Sequence, residues 1–553
     1  MHMKYSALSS YVLLVFLAFL LTEATAQKPL SRMRVVATPT PTVAPTPTIT
    51  PTALPATTLK PEIKPSPTQY HQPQIQTLDE LQTKIRQILQ RESLKRSRIG
   101  IKILSLDTGK TLFEEDAEKF FMPASNMKNF TVAAALEKLT PNFTFITSVY
   151  ATEKPDSQGI LKGDLIIYGR GDPTIAYGID DKDEIKGLEK LVERIIATGI
   201  KKIEGNIIGD ESFFTGTAVP YTWEWEDLQW YYGAPISALT INDNAAKILI
   251  TPASKVGAPA TIQLLPPESG LVIINNTETS EENLPRKIVI NRKLGTNILI
   301  ISGSIAKNAK PFESFVSIPN PAMTFVSILR SLLEKHGVVI TGKTEVLDSE
   351  ARKSNPLPKN LLEVARLESP PLSLIAQKTM KPSQNLYTEL ILRAMGENIL
   401  LEDYKPEWNS ADKGIAIVDK FLNEIGVSPG SVLMYDGSGL SRHNLVTPNA
   451  IATLYAFMAN KSKSSKQWLE SLTVAGVDGT LSSRFKGTIA ERNVRGKTGT
   501  INQVSSLSGY VNSMSGEKFA FSIIINNAPD QAIRVSTIDE IVLLLANFAG
   551  KTN

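Results

Sequence analysis

The chain has 553 residues, 42% hydrophobic and 21% charged, with 59 Lys and Arg against 55 Asp and Glu. That length allows about three domains of roughly 100–200 residues, and the balance excludes wholesale disorder, collagen and a multi-span membrane protein. A net charge of +4 is too small and too dispersed for a nucleic-acid binder, which needs a concentrated basic face.

Zero Cys removes thiol nucleophiles, disulfides, Cys-bound zinc and iron–sulfur clusters. The His residues are His2, His71, His336 and His443, too few and too scattered to favour a His-based triad or metal centre. Hydrolysis, if it occurs, then calls for a different base, and lysine is the obvious substitute. No metal and no cofactor is expected.

Lys4, the apolar run Tyr11–Leu21 and the small-x-small site Ala24-Thr25-Ala26 mark residues 1–26 as a secretory signal. The run is short of the about 20 residues that span a bilayer, so cleavage after Ala26 and export to the periplasm or cell envelope are expected. Membrane contact then requires a retained signal. Residues 27–76 are dominated by Thr and Pro, with ten of the 34 prolines between Pro39 and Pro73, and read as an extended, disordered linker.

Folded sequence begins with Thr77-x-x-Glu80, a capping box ahead of the stripe Leu78, Leu81, Ile85, Ile88 and Leu89. Ile99, Ile101 and Ile103 alternate, and Asp107-Thr108-Gly109 turns the chain into Thr111–Glu115, a hairpin. Pro123-Ala124 then introduces a helix over Ser125–Leu139. The middle carries strand-like runs at Gly163–Tyr168, Ile203–Gly209, Lys247–Thr251, Lys287–Asn291 and Asn297–Ser302. His336, before Gly337, reads as a helix C-cap and His443 as structural.

The far end predicts strands at Gly496–Thr500, Ser505–Val511 and Phe519–Asn527 and a closing helix over Gln531–Phe548. If these strands pair with the early hairpin, residues 77–150 and 362–553 form one catalytic domain. Residues 151–361 are then an insertion.

Acyl transfer to a serine needs a hydroxyl, a nearby base and donors for the oxyanion. Ser125-Asn126-Met127-Lys128 supplies the first two, because residues three apart share a helix face. The lysine serves as base only if burial or a neighbouring cation favours its neutral form. Alone the pattern is weak: it also begins at Ser304, Ser410 and Ser483, and a helix cap with a solvated lysine explains it equally. Only Ser125 opens an apolar helix after a hairpin. Ser383-Gln384-Asn385 stands before the helical stretch Leu386–Met395, where an ordinary cap is the plain reading. Lys497-Thr498-Gly499-Thr500 lies on a strand, where the glycine permits close approach of a substrate backbone, or marks a strand-end turn.

In this order and on these elements, the three signals resemble the penicillin-recognising serine transferases, defined by Ser-x-x-Lys, Ser-x-Asn and Lys-Thr-Gly. Gly171-Asp172-Pro173-Thr174, Tyr232–Leu239 with Asn242-Asp243-Asn244, Asp436–Arg442 and Val474–Leu481 are similar to stretches of the class C low-molecular-mass penicillin-binding proteins, the D-alanyl-D-alanine carboxypeptidase/endopeptidase family. The likeness runs from about Thr77 to the C-terminus. It departs at Tyr168-Gly169-Arg170-Gly171, where members often carry a run of glycines.

The resemblance implies an α+β fold, an antiparallel sheet flanked by helices, with two inserted, mainly β domains, one nested in the other. It implies Ser125 as acylated nucleophile, Lys128 as its base, Ser383 as proton relay and Asn385 as a substrate amide holder. Lys497 would bind a terminal carboxylate and help depress the Lys128 pKa, with Thr498, Gly499 and Thr500 along the substrate and the N–H groups of Ser125 and Thr500 as oxyanion donors. Asp227 resembles the position facing a cationic stem-peptide side chain, or is a surface acid, and Arg442 either touches substrate or braces its loop. Peptidoglycan stem peptides are the implied partners and β-lactams the covalent inhibitors, with no nucleic acid. A sensor that stays acylated and a β-lactamase are the rival readings, and oligomeric state is left open.

Overall fold

The structure, a computed structural model, describes residues 74–175 and 186–552. The expected signal, His2, His71 and all but the end of the linker lie outside them. Among the described residues, no helix is long and apolar enough to cross a membrane.

Alternation decides the central sheet. Along Lys518–Asn526, Phe519, Phe521, Ile523 and Ile525 join one buried cluster, while Ala520 and Ile524 join another. A strand apolar on both faces belongs inside a layered structure. Six strands run in the order Thr473–Val474, Arg495–Ile501, Val504–Asn512, Lys518–Asn526, Arg98–Ser105, Thr111–Glu115, with every pair antiparallel. The early hairpin therefore joins the terminal strands as expected, with Ile101 opposite Ile523.

One face is covered by Leu78–Leu89 and Gln531–Ala546, through Leu81, Ile85, Ile88, Ile538, Ile541 and Leu545. Thr77 Oγ1 accepts the Glu80 N–H at 3.2 Å and caps the first of these helices. The chain enters through Ile75, buried and bridged to Phe548. The other face carries a helical layer of Lys128–Lys138, Leu372–Met380, Asn385–Asn398, Ser410–Glu424 and Pro448–Asn460.

Two local expectations change. The helix predicted from Ser125 starts as a 3-10 turn, Ala124–Met127, and becomes α-helical only at Lys128, with no side-chain cap. The run Ile203–Gly209 divides into Lys202–Ile203 and Ile207–Asp210, because Gly205 between them lies against the Gly163 carbonyl.

A second sheet runs in the order Thr344–Leu347, Ile207–Asp210, Leu165–Tyr168, Ile146–Ala151, Leu362–Glu368, so its last two strands reach beyond the 151–361 stretch expected as the insertion. The first three strands are parallel and the last two antiparallel. The helices Lys186–Ala197 and Pro321–Lys335 share its core, and His336 caps the second, its Nδ1 2.8 Å from Leu332 O. Between Ile207–Asp210 and Pro321–Lys335 in sequence stand two three-stranded sheets with a separate core of Ile248, Ile250, Leu299, Ile301 and Val316.

Ile523 is fully buried on the central strand, whereas Ile274 in the middle region is 43% exposed. Ile523→Ala is expected to destabilise by about 2–5 kcal/mol and Ile274→Ala by less than about 0.5 kcal/mol. Urea unfolding checks both, and equal midpoints would contradict this layering.

Candidate active site

Ser125 sits in a turn that the central sheet holds from below. Ala124 is left-handed, φ 47°, an uncommon conformation for a residue with a Cβ. Four contacts fix the turn: Asn126 Nδ2 donates to Ser506 Oγ at 2.5 Å, Ser506 Oγ donates to Pro123 O at 2.8 Å, and Asn129 Nδ2 donates to Asn126 Oδ1 at 3.0 Å and Ser508 Oγ at 3.1 Å. Gly499 completes the seat. A Cβ there would meet Ser506 Oγ, Pro123 O at 2.6 Å and Ser125 N at 3.0 Å, so the protein's own turn by itself requires glycine at this position.

Lys128 is fully buried one helical step from Ser125. Its Nζ donates to Ser125 Oγ at 2.9 Å, Asn385 Oδ1 at 2.6 Å and Ser438 O at 2.7 Å. All three acceptors are neutral. Burial lowers its pKa to about 7, against the opposing pull of Asp436 and Glu389. A lysine so placed is substantially unprotonated at neutral pH; in that form its two N–H groups serve Asn385 Oδ1 and Ser438 O, and its lone pair can accept the proton of the Ser125 hydroxyl.

Lys497 is also buried, with Nζ donating to Ser383 Oγ and Thr498 O, both at 2.8 Å. Burial, then the charge of Lys128, pushes its pKa well below the lysine range. Desolvation is the first cause at both lysines, and the repulsion between two such cations, which disfavours the charged form of each, adds to it. Ser383 is left-handed, φ 67°, and does not cap the following helix; Gln384 does. Thr498 Oγ1 donates to Thr480 Oγ1 at 2.7 Å.

Ser125, Ser383, Asn385 and Thr500 line one cleft of about 530 Å³. Beyond Gly496 the strand Arg495–Ile501 has no partner on its outer edge among the described residues. Opposite, Asp227, Tyr231 and Tyr232 come from the middle region, and Arg442 closes the rim. Arg442 Nε pairs with Glu224 Oε1 at 3.1 Å and its Nη2 donates to Asn502 O at 3.1 Å, so it braces the loops while facing the cleft. Burial raises the Asp227 pKa, against a hydrogen bond from Tyr232. His443 is exposed against the Tyr435 ring and does not line the cleft.

The model of the D-Ala-D-Ala carboxypeptidase 3 (S13) family matches residues 81–548. The chain belongs to this S13 family. It is 32% identical over 486 residues to a D-alanyl-D-alanine carboxypeptidase of Actinomadura sp. strain R39, covering 86% of each chain. It is 28% identical over 437 residues to the D-alanyl-D-alanine carboxypeptidase DacB of Haemophilus influenzae, covering 78% of this chain and 85% of that one. The crystal structure of penicillin binding protein 4 (dacB) from Haemophilus influenzae superposes with a TM-score of 0.70 at 26% identity, over 84% of this chain and 99% of that one. The enzyme class is that of a serine-type D-Ala-D-Ala carboxypeptidase, on the penicillin-recognising serine hydrolase fold.

In this S13 chain the residues of the three motifs converge as the sequence suggested. Other members of the site carried no recognised role. Asp436 accepts Gly439 N, Ser441 N and Asn444 Nδ2, each at 2.7 Å, and Trp223 Nε1 at 2.8 Å. It shapes the loop that offers Ser438 O to Lys128. Glu389 Oε1 accepts Ser438 N at 2.8 Å. The available signal was spacing: Asn385, Glu389 and Arg393 fall four apart in a helix whose other residues between them are mostly apolar.

Gly499→Ala is expected to displace the Ser125 turn and slow acylation by about 10²-fold, the cost of a shift of about 1 Å at a reacting atom. Stopped-flow acylation measures it, and a rate equal to the native one would refute this reading of the glycine.

Proposed function

We propose that this S13 enzyme is exported and cleaves peptidoglycan stem peptides through an acyl-enzyme on Ser125, acting as carboxypeptidase and endopeptidase. The observation that carries the proposal is the 2.9 Å contact of a buried Lys128 Nζ with Ser125 Oγ.

Ser125 Oγ attacks the carbonyl carbon of the penultimate D-Ala while neutral Lys128 takes the hydroxyl proton. The N–H groups of Ser125 and Thr500 receive the oxyanion. The proton taken up by Lys128 is relayed through the Ser383 hydroxyl, itself hydrogen-bonded to Lys497, to the departing D-Ala nitrogen, which leaves an ester on Ser125 and returns Lys128 to its neutral form. Water, deprotonated by the same base, then hydrolyses the ester and restores the hydroxyl. Where the departing amine belongs to a neighbouring stem peptide, the same steps cut a cross-link.

The terminal carboxylate lies near Lys497, Thr498 and Thr500, and its negative charge favours the protonated form of Lys497. Asn385 holds a substrate amide, and Asp227 with Arg442 on the rim meets the stem-peptide side chain. A β-lactam presents a strained amide to the same hydroxyl, and its amine stays tethered after ring opening. The name of the Haemophilus protein, penicillin binding protein 4, supports this expectation.

Ser125→Ala should abolish both labelling by a fluorescent penicillin and release of D-Ala, whereas Ser483→Ala, in an exposed Ser-x-x-Lys, should leave both unchanged. An unlabelled native protein refutes the proposal. At most one equivalent of D-Ala per chain points instead to the sensor, and fast β-lactam hydrolysis without peptide cleavage to a β-lactamase.

The active form of Lys128 is the neutral one and its pKa stands at about 7. Acylation should therefore fall about tenfold per pH unit below about 7 and level off above it. A rate flat between about pH 5 and 8 would exclude Lys128 as the base.

A further inference from the structure

The middle residue of Ser383-Gln384-Asn385 takes no part in the reaction above, yet both polar atoms of its side chain are engaged. Gln384 Oε1 accepts Leu386 N at 3.3 Å, capping the helix Asn385–Asn398, and Gln384 Nε2 donates to Asp243 Oδ2 at 3.0 Å. Asp243 belongs to the middle region. Its other oxygen, Oδ1, accepts the Tyr387 hydroxyl at 2.8 Å. The same region supplies the Tyr232 carbonyl that accepts Asn385 Nδ2 at 2.9 Å.

The segment presenting Asp243 is unusual. Asn242, Asp243 and Asn244 are all left-handed, φ 49°, 57° and 51°. Asn and Asp tolerate that region best among residues with a Cβ, but successive left-handed residues persist only where the surroundings over-determine them. Here Asn244 Nδ2 donates to Pro235 O at 2.8 Å and its Oδ1 accepts Ile241 N at 3.1 Å. The strained turn aims one carboxylate at two residues of the catalytic helix. Burial raises the Asp243 pKa to about 6, with the Tyr387 and Gln384 hydrogen bonds opposing, so at neutral pH it remains a double acceptor.

We propose that Asp243 is a positioning residue for acyl transfer: from the middle region it locks Gln384 and Tyr387, and through them holds Ser383 against Lys497 and Asn385 against Lys128. The inference deepens the acyl-enzyme reading and rests on it. The inserted region is then a working part of the catalytic geometry.

The test exchanges donor and acceptor. Gln384→Glu sets two carboxylates face to face. Asp243→Asn leaves one carboxamide oxygen where two donors need acceptors. The double variant restores an N–H···O contact between the two positions in the opposite direction, with the Tyr387 hydroxyl and Leu386 N still satisfied. Acylation by a fluorescent penicillin at about pH 8, where Lys128 is mostly neutral, separates the first-order acylation constant from the binding constant.

Gln384→Glu is expected to lower the first-order constant about 10²-fold and Asp243→Asn about tenfold, with binding changed less than about threefold. The double variant should return to within about threefold of native. A native rate in Gln384→Glu, or a double variant no faster than Gln384→Glu, overturns the positioning role. If Gln384→Glu fails to fold by circular dichroism, Asp243→Ala and Tyr387→Phe read the same constant, and native rates in both overturn it. A native protein that is never acylated refutes instead the acyl-enzyme reading.

Discussion

One amine, cut off from water and hydrogen-bonded only to neutral oxygens, governs how this site is put together. An exposed lysine beside a serine would stay protonated and do nothing. Lys128 escapes that fate because it is fully buried and because its partners are a hydroxyl, a carboxamide and a peptide carbonyl. Glu389 and Asp436 act on it without contact and limit how far its proton affinity falls. The balance lands near neutrality, where a base is both available and strong enough to be useful.

Meeting that constraint takes the sheet, the helical layer beside it and a distant loop. The nucleophile turn rests on Ser506 and Ser508 of the sheet, Asn385 arrives on a neighbouring helix of the layer that carries Lys128, and Ser438 O comes from a loop tied by Asp436 to Trp223. Left-handed Ala124 and Ser383 sit at the two points where backbone must bend to bring hydroxyls toward amines. Such strain is sustainable only where neighbours fix it, and here they do so with hydrogen bonds from three sides.

Much of this was legible in the residues because the signals were local. The alternation of Phe519–Ile525, the stripe of the closing helix and the order of the three motifs each reflect one short-range rule. What escaped was long-range. Nothing in the sequence near Gly499 says that its Cβ space belongs to Pro123 and Ser125, and nothing near Lys128 says how completely it is enclosed. The 3-10 start at Ala124 was missed for a related reason: an Ala-Ser-Asn-Met run has no helix-breaking residue, and only the sheet packed beneath it imposes the tighter turn.

The position of Lys518–Asn526 between Val504–Asn512 and Arg98–Ser105 has a consequence for biosynthesis. The strand that pairs with Arg98–Ser105 is made long after it, and the serines that support the nucleophile turn precede that strand only slightly. A nascent chain lacking them cannot hold Ser125 and Lys128 in register, so the acylating machinery comes into being only once residues 504–526 have been made.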